Sequence, residues 1–215
     1  MLMYLTIYVK VFNYILGHIE YLCPKNTVPG GVISVKYCSD CGNPVIKKVP
    51  SGDNRNRFVC LGCGIIHYSN PNIITGCLVT HKDKVLLCQR ALSPGIGLWT
   101  FPAGFMENNE TAAEGAIRET LEESQATVVV DDLYALYDVP HMSQLYIFYR
   151  ASLLDYNFGP GPETLAADLF SESEIPWREL AFPIIKDTLE LYFQDRVNNS
   201  FPIRSQTCHD IVEGD

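Results

Sequence analysis

Glu119, Glu122 and Glu123 stand at i, i+3 and i+4 within the stretch GFMENNETAAEGAIRETLEESQA, which runs from Gly104 to Ala126. At about 100° per residue they fall within an arc of about 100° on one helix face. Carboxylates at that density are hard oxygen ligands and suit Mg2+ or Mn2+, ions that keep several waters and bridge to phosphates. Upstream, Cys38, Cys41, Cys60 and Cys63 form two CxxC pairs with eighteen residues between them. Each pair makes a tight turn, helped by Gly42 and Gly64, so that four thiolates can reach one tetrahedral ion. With sulfur in every position that ion, zinc, has no open site and is structural, and the small ribbon around it gains much of its stability from the metal.

The elements that must position these groups follow from the pattern around them. Thr111 and Glu114 have the spacing of a capping box, which starts the acidic helix near Thr111 and puts Glu110 close to the positive end of its dipole. Ala113, Ile117, Thr120, Leu121 and Ser124 form the opposite side, a small and mostly apolar back to lie on a sheet, so the carboxylates are expected to point away from the core. Ahead of the helix, SPGIGLWTFPAG brings bare backbone at Ala103 and Gly104 to its mouth, where an N–H or carbonyl can approach a phosphate or metal. Strands are predicted at 73–80 and 85–89, joined as a hairpin by HKDK, and at 127–130, 133–138 and 144–154. FGPGPETL reads as a loop, SESEIPWREL as a short connection, and 183–196 as an amphipathic helix with Ile184, Ile185, Leu189 and Tyr192 or Phe193 inward. Strands and helices mixed in this order predict an α/β sandwich, a sheet with helices on both faces.

The chain has 215 residues, enough for one substantial core and an appendage. It divides into an N-terminal extension (1–34), the zinc ribbon (35–69), the main domain (70–197) and a tail without clear pattern (198–215). Lys+Arg of 16 against Asp+Glu of 25 gives a net charge of −9, which argues against a broad nucleic-acid surface. Paired CxxC motifs fit a reducing compartment, and Cys23, Cys77, Cys88 and Cys208 show no pairing pattern. The first thirty-odd residues are apolar and aromatic, yet Lys10 interrupts them and no run reaches the roughly 18 residues of a membrane span. They lack the basic lead of an export signal and the Arg and Ser of a transit peptide, so a cytoplasmic protein is expected, or an organelle-stromal one if this segment is an atypical transit peptide. A translation start near Val35 is the plainer expectation, testable by intact mass.

Gly104, Glu110 and the run Arg118-Glu119-Thr120-Leu121-Glu122-Glu123 resemble the signature box of the Nudix hydrolases. Two positions depart from it: Thr120 replaces an aliphatic residue on the buried face, and Gln125 replaces the glycine that usually ends the helix. The resemblance implies an α/β/α Nudix sandwich with a mixed sheet, with the box helix on one face and the 183–196 helix on the other. It also implies Mg2+- or Mn2+-dependent hydrolysis of a nucleoside diphosphate derivative, with Glu119, Glu122 and Glu123 as metal ligands and Arg118 and Glu110 as an orienting pair. Glu119 or the loop residue Glu163, with Glu172 and Glu174 behind it, is the expected general base. A homodimer is the assembly the resemblance implies.

A four-cysteine ribbon before such a domain is similar to bacterial NADH pyrophosphatases, but their SQPWPFPxS signature is here only SQLYIFY, residues 143–149. YCSDCG, NPNIITGCLVTH, KVLLCQR, GLWTFPAGFME, FGPGPETL and EIPWRELAF resemble more closely the zinc-ribbon Nudix hydrolases of the plant plastid FAD pyrophosphohydrolase type. That resemblance implies FAD as substrate, cut to FMN and AMP, with ADP-ribose and NADH as alternatives. Trp99, Phe101, Tyr134 and Tyr137 are candidates to stack a ring, though such residues more often pack a core. The rival reading is a binding or regulatory protein whose ribbon docks nucleic acid or a partner while the main domain senses a nucleotide; against it stand the intact acidic triad and the small basic patch between Cys41 and Cys60, only Lys47, Lys48, Arg55 and Arg57.

Overall fold

The computed structural model describes residues 35–208, so the predicted N-terminal extension and the end of the tail lie outside the described residues. β1 (Val45–Lys48), β2 (Arg57–Cys60) and β3 (Ile66–His67) form a three-stranded antiparallel sheet, the ribbon. Its knuckles close through Gly42 N–H to Cys38 O (2.9 Å) and Gly64 N–H to Cys60 O (3.2 Å), with both glycines at positive φ.

β4 (Asn72–His81), β5 (Lys84–Arg90), β6 (Trp99–Thr100), β7 (Ala103–Phe105), α1 (Ala112–Ser124), β8 (Val128–Val139), β9 (Gln144–Leu153), β10 (Thr164–Ser171), α2 (Pro183–Asn198) and β11 (Arg204–Thr207) make up the rest. The strands form one mixed sheet of order β10-β5-β4-β9-β8-β11. β4 and β5 pair only at Thr80↔Val85 and His81↔Lys84, next to their hairpin, and then separate. Into that opening come β6, paired with β5, and β7, paired with β4. This split carries the Pro102–Gly104 backbone to the sheet's surface, and it requires a glycine opposite. A Cβ on Gly76 would lie 2.5 Å from Pro102 O.

Alternation along the strands feeds two cores. Leu78, Val85 and Leu87 pack with Phe101, Tyr134 and Phe148 against Ile184, Ile185, Leu189, Tyr192 and Phe193 of α2. Cys77, Val79, Leu86 and Cys88 pack on the other face with Ala116 of α1. The α/β/α sandwich is therefore as expected, with all the predicted inward residues of α2 buried.

The back of α1 differs from the expected one. Its buried residues are Gly115, Ala116, Thr120 and Ser124, while Ile117 and Leu121 are 37% and 53% exposed. Close approach to β4 selects for size over hydrophobicity: Thr75 Oγ1 donates to Ala112 O at 2.6 Å, and a Cβ on Gly115 would sit 2.8 Å from Thr75 Cγ2. Thr120 costs no buried polar group, because its hydroxyl donates to Ala116 O at 2.7 Å.

Three strand readings also change. The segments 127–130 and 133–138 are one strand, β8, bulged between Val130/Asp132 and Leu133/Ala135. TLAADLFS, its two ends read as loop and connection and its middle, 166–170, assigned to no element, is the edge strand β10, antiparallel to β5. The tail contains β11, parallel to β8, which no local pattern announces because tertiary bonds hold it. Asp195 of α2 is buried, accepts from Tyr134 Oη (2.7 Å) and is gripped by both Nη atoms of Arg204 on β11. Asp195→Asn leaves the guanidinium without its counter-charge and is expected to lower stability by about 2–3 kcal/mol. Urea unfolding measures the loss, and hydrogen exchange should place the first opening in β11.

Candidate active site

Thr111 caps α1 as expected: its hydroxyl accepts from Glu114 N–H (3.2 Å) and the Glu114 carboxylate accepts from Thr111 N–H (2.8 Å). The far end is built differently from the usual glycine stop. Gln125 takes the left-handed conformation, φ 54°, and its side-chain amide donates to Pro160 O at 2.7 Å. Gly159 N–H and Gly161 N–H donate to Ser124 O (2.8 Å) and Glu123 O (2.9 Å). The FGPGPETL loop therefore caps the helix carbonyls, and any Cβ on Gly161 would overlap Glu122 O. Glu163, two residues on, is thereby fixed relative to the helix carrying the acidic residues.

One cleft of about 550 Å3 gathers Ala103, Gly104, Arg118, Glu119, Glu122, Glu123 and Glu163, together with Glu107, Phe105 and Arg90. Glu110 stands behind this wall, joined to the Arg118 guanidinium by a fork, Nε to Oε2 at 3.0 Å and Nη2 to Oε1 at 2.7 Å. The fork, and the Glu107 N–H, hold the Glu110 carboxyl down at about 2. Arg118 Nη1 continues to Glu119 (2.6 Å) and Glu122 (3.2 Å), and Nη2 to Phe105 O (3.1 Å). Every guanidinium nitrogen of Arg118 is thus committed to orienting the acidic face.

The three glutamates differ in environment, contrary to a uniformly outward face. The side chain of Glu122 is 57% exposed and that of Glu119 13%. Glu123 turns inward and accepts from Ala103 N–H at 3.0 Å. Burial raises the Glu119 carboxyl, with Arg118 opposing, and pushes Glu123 up to about 7 against the pull of the Ala103 N–H. Two half-buried carboxylates with too little positive charge around them are a donor set that fits a hard divalent cation. Glu172 and Glu174 lie elsewhere. They pair with Arg196 (3.1 Å) and Lys84 (3.1 Å) at the opposite end of β10 from Glu163.

In the ribbon, the Sγ atoms of Cys38, Cys41, Cys60 and Cys63 all lie within 4.8 Å of one another. The Cys38–Cys63 and Cys41–Cys60 separations are 3.8 and 3.4 Å, close to the edge of about 3.8 Å of a tetrahedron with zinc–sulfur bonds of about 2.3 Å. The Asn43 side-chain amide donates to Cys41 and lowers its thiol to about 6. Against the pull of the Ile65 N–H, Cys41 and desolvation push Cys63 up to about 12, as expected where several thiolates crowd together and need a cation among them. Two of the four basic residues of the patch between Cys41 and Cys60 are engaged locally. Arg57 pairs with Asp53 at 2.8 Å and lies over Tyr68, and Lys47 lies over Phe58.

The ring-stacking candidates are core residues: Trp99, Phe101, Tyr134 and Tyr137 are at most 9% exposed. Tyr134 and Tyr137 spend their hydroxyls on Asp195 and Asp187. The aromatic surface next to the cleft is a separate cavity of about 330 Å3, walled by Ile74, Phe105, Tyr146, Phe148, Phe182 and Ile185. It shares Arg90, Ala103, Gly104 and Phe105 with the acidic cleft. Its lining comes from β4 to β7, the loop before β6, β9 and the start of α2 with the preceding Phe182, segments far apart in sequence. Arg90, a charge closing the strand KVLLCQR before a Gly/Pro-rich loop, is the one local signal of this cavity.

A glycine-led acidic helix on a split mixed sheet, behind a four-cysteine ribbon, matches two family models. "NUDIX domain" covers residues 71–192, and the zinc-ribbon model "Nudix N-terminal" covers residues 36–69. The chain belongs to the Nudix family. A Nudix hydrolase crystal structure from Nitrosomonas europaea is similar at 49% identity and TM-score 0.77, covering 80% of this chain and 99% of that one. An NAD-capped RNA hydrolase NudC of Photorhabdus laumondii is 30% identical over 168 residues, 74% of this chain and 62% of the relative. An ADP-ribose pyrophosphatase of Methanocaldococcus jannaschii is 28% identical over 127 residues, 56% of this chain and 74% of that protein. The chain thus spans under two thirds of the NudC relative's length. Among the described residues no helix is long and apolar enough to cross a membrane.

Proposed function

We propose that this protein hydrolyses the diphosphate linkage of a dinucleotide-type substrate with Mg2+ or Mn2+, and that FAD, cut to FMN and AMP, is the substrate to test first, with ADP-ribose and NADH behind it. The observation that carries this reading is the shared wall: a diphosphate in the acidic cleft puts one of its ester groups at the mouth of the apolar, aromatic cavity. The names of the relatives, an NAD-capped RNA hydrolase and an ADP-ribose pyrophosphatase, support a dinucleotide class. FAD rests on the resemblance of the segments quoted above, and none of the relatives described here is named for it.

Glu119, Glu122 and Glu123 would hold the divalent ion, which when bound neutralises phosphate oxygens and acidifies a water. The chain's own residues prepare that site. Ala103 N–H orients Glu123, and the Arg118–Glu110 fork aligns Glu119 and Glu122. Hydrolysis forms a bond from water oxygen to phosphorus and breaks the bridging P–O bond, giving two monophosphates. The proton passes to Glu119 or Glu163, both of which line the cleft. If Glu163 is the base, Glu163→Gln lowers kcat by about 10²-fold or more with little change in KM. If turnover stays within a fewfold while Glu119→Gln abolishes it, Glu163 is not the base.

Chromatography of products from FAD, ADP-ribose, NADH, NAD+, CoA and capped nucleotides, with each metal, tests the reading. Mg2+- or Mn2+-dependent release of two monophosphates from at least one dinucleotide is expected. Salt-sensitive nucleic-acid binding with no turnover of any of them would favour the regulatory reading.

A further inference from the structure

Arg90 is the one arginine that lines both the acidic cleft and the aromatic cavity, and it is held from several sides. Its N–H donates to Leu98 O (2.9 Å) and its carbonyl accepts from Gly97 N–H (2.8 Å), tying both to the loop before β6. Its Nε donates to Pro94 O at 2.7 Å, and its guanidinium carbon lies 5.3 Å from the centroid of the Phe182 ring. The start of β10 closes the remaining side, with Thr164 opposite Arg90 and Ala91 N–H donating to Glu163 O (2.9 Å). Yet its two Nη groups have no acceptor among the described residues. Arg118, the other cation of the cleft, is fully committed to carboxylates and a carbonyl.

A guanidinium so fixed has lost its rotamer freedom before any ligand arrives, and its unused donors suit two oxygens of a phosphate. It faces a cleft that is otherwise acidic, where an anion needs a local cation. On the other side the cavity offers aliphatic and aromatic walls, in a volume within the range of small-molecule sites. Resting on the reading of a diphosphate bridging the two, we infer that Arg90 binds the phosphate attached to the group inside the cavity. The cavity is then a subsite for a planar aromatic nucleoside monophosphate half, and Arg90 ties recognition of that half to its phosphate rather than to its ring alone.

Calorimetry on the zinc-replete chain without added Mg2+ tests this, using adenosine against AMP and riboflavin against FMN. For at least one pair the monophosphate should bind at least tenfold tighter than its nucleoside. Arg90→Gln should reduce that ratio to about two or less while changing the nucleoside's own affinity less than threefold, and Arg90→Lys should keep part of it. A ratio unchanged in Arg90→Gln, no discrimination in the wild type, or an equal loss for both members of the pair would overturn the assignment. The last result would make Arg90 only a pin for the 91–98 loop. No turnover enters the measurement, so failure of the hydrolysis panel and failure of this inference are read separately.

Discussion

Glu123→Gln is expected to abolish metal-dependent turnover, by roughly 10³-fold or more, and at the same time to stabilise the metal-free protein at pH 8. Both effects have one cause. The Glu123 carboxyl lies between α1 and the β7 backbone, where burial raises it from its ordinary 4.5 to about 7. A raised acid is protonated more readily folded than unfolded, so above pH 7, where it is ionised in both states, its burial works against folding. The penalty is absent below about pH 4.5, grows between about 4.5 and 7, and is constant above that, at most about 3 kcal/mol. Glutamine fills the same space and can still accept the Ala103 N–H, but carries no charge. Urea unfolding without added Mg2+, with the ribbon's zinc retained, should show the variant more stable by about 2 kcal/mol at pH 8 and equal to wild type near pH 4. Added Mg2+ should stabilise wild type and leave the variant unchanged. Equal stability at pH 8 would mean that Glu123 is better solvated than its contacts indicate.

Glu123 also illustrates how far the sequence could be read. The spacing of Glu119, Glu122 and Glu123 defines their angular positions on α1, but where the sheet meets that helix depends on the volume of residues such as Gly115 and Ala116, which let β4 approach. Counting Ile117 and Leu121 as backing because they are apolar turned the helix too far and sent Glu123 outward. The capping box at Thr111, the α2 face and the cysteine cluster were legible because each is decided by local spacing. β10 and β11 were not, since an edge strand and a tail strand gain their stability from partners remote in sequence. The aromatic cavity was hidden for the same reason, as its lining joins β4 to β7 with β9 and the start of α2, far apart in sequence. Gln125 stands between these cases. Its departure from the usual glycine was visible, but its compensation, a bond to Pro160 O, exists only once the FGPGPETL loop has folded back.

Gly104→Ala is expected to cost at least 10²-fold in kcat/KM while leaving the fold intact. Gly104 has ordinary strand pairing, opposite Thr75 on β4, so its backbone tolerates alanine. Its missing side chain is the point, because a Cβ built there would fall on the Glu119 carboxylate. A carboxylate end is flexible and would swing aside, at little cost in stability, and out of the position in which Arg118 Nη1 holds it at 2.6 Å. This glycine of β7 thus keeps space for a ligand carboxylate as well as exposing backbone. The effect passes through Glu119, so it should vanish once Glu119 is disabled: on a Glu119→Gln background Gly104→Ala should cost less than about fivefold more. Full additivity of the two changes would mean that Gly104 acts directly on the substrate, and turnover of Gly104→Ala within threefold of wild type would remove the steric argument altogether.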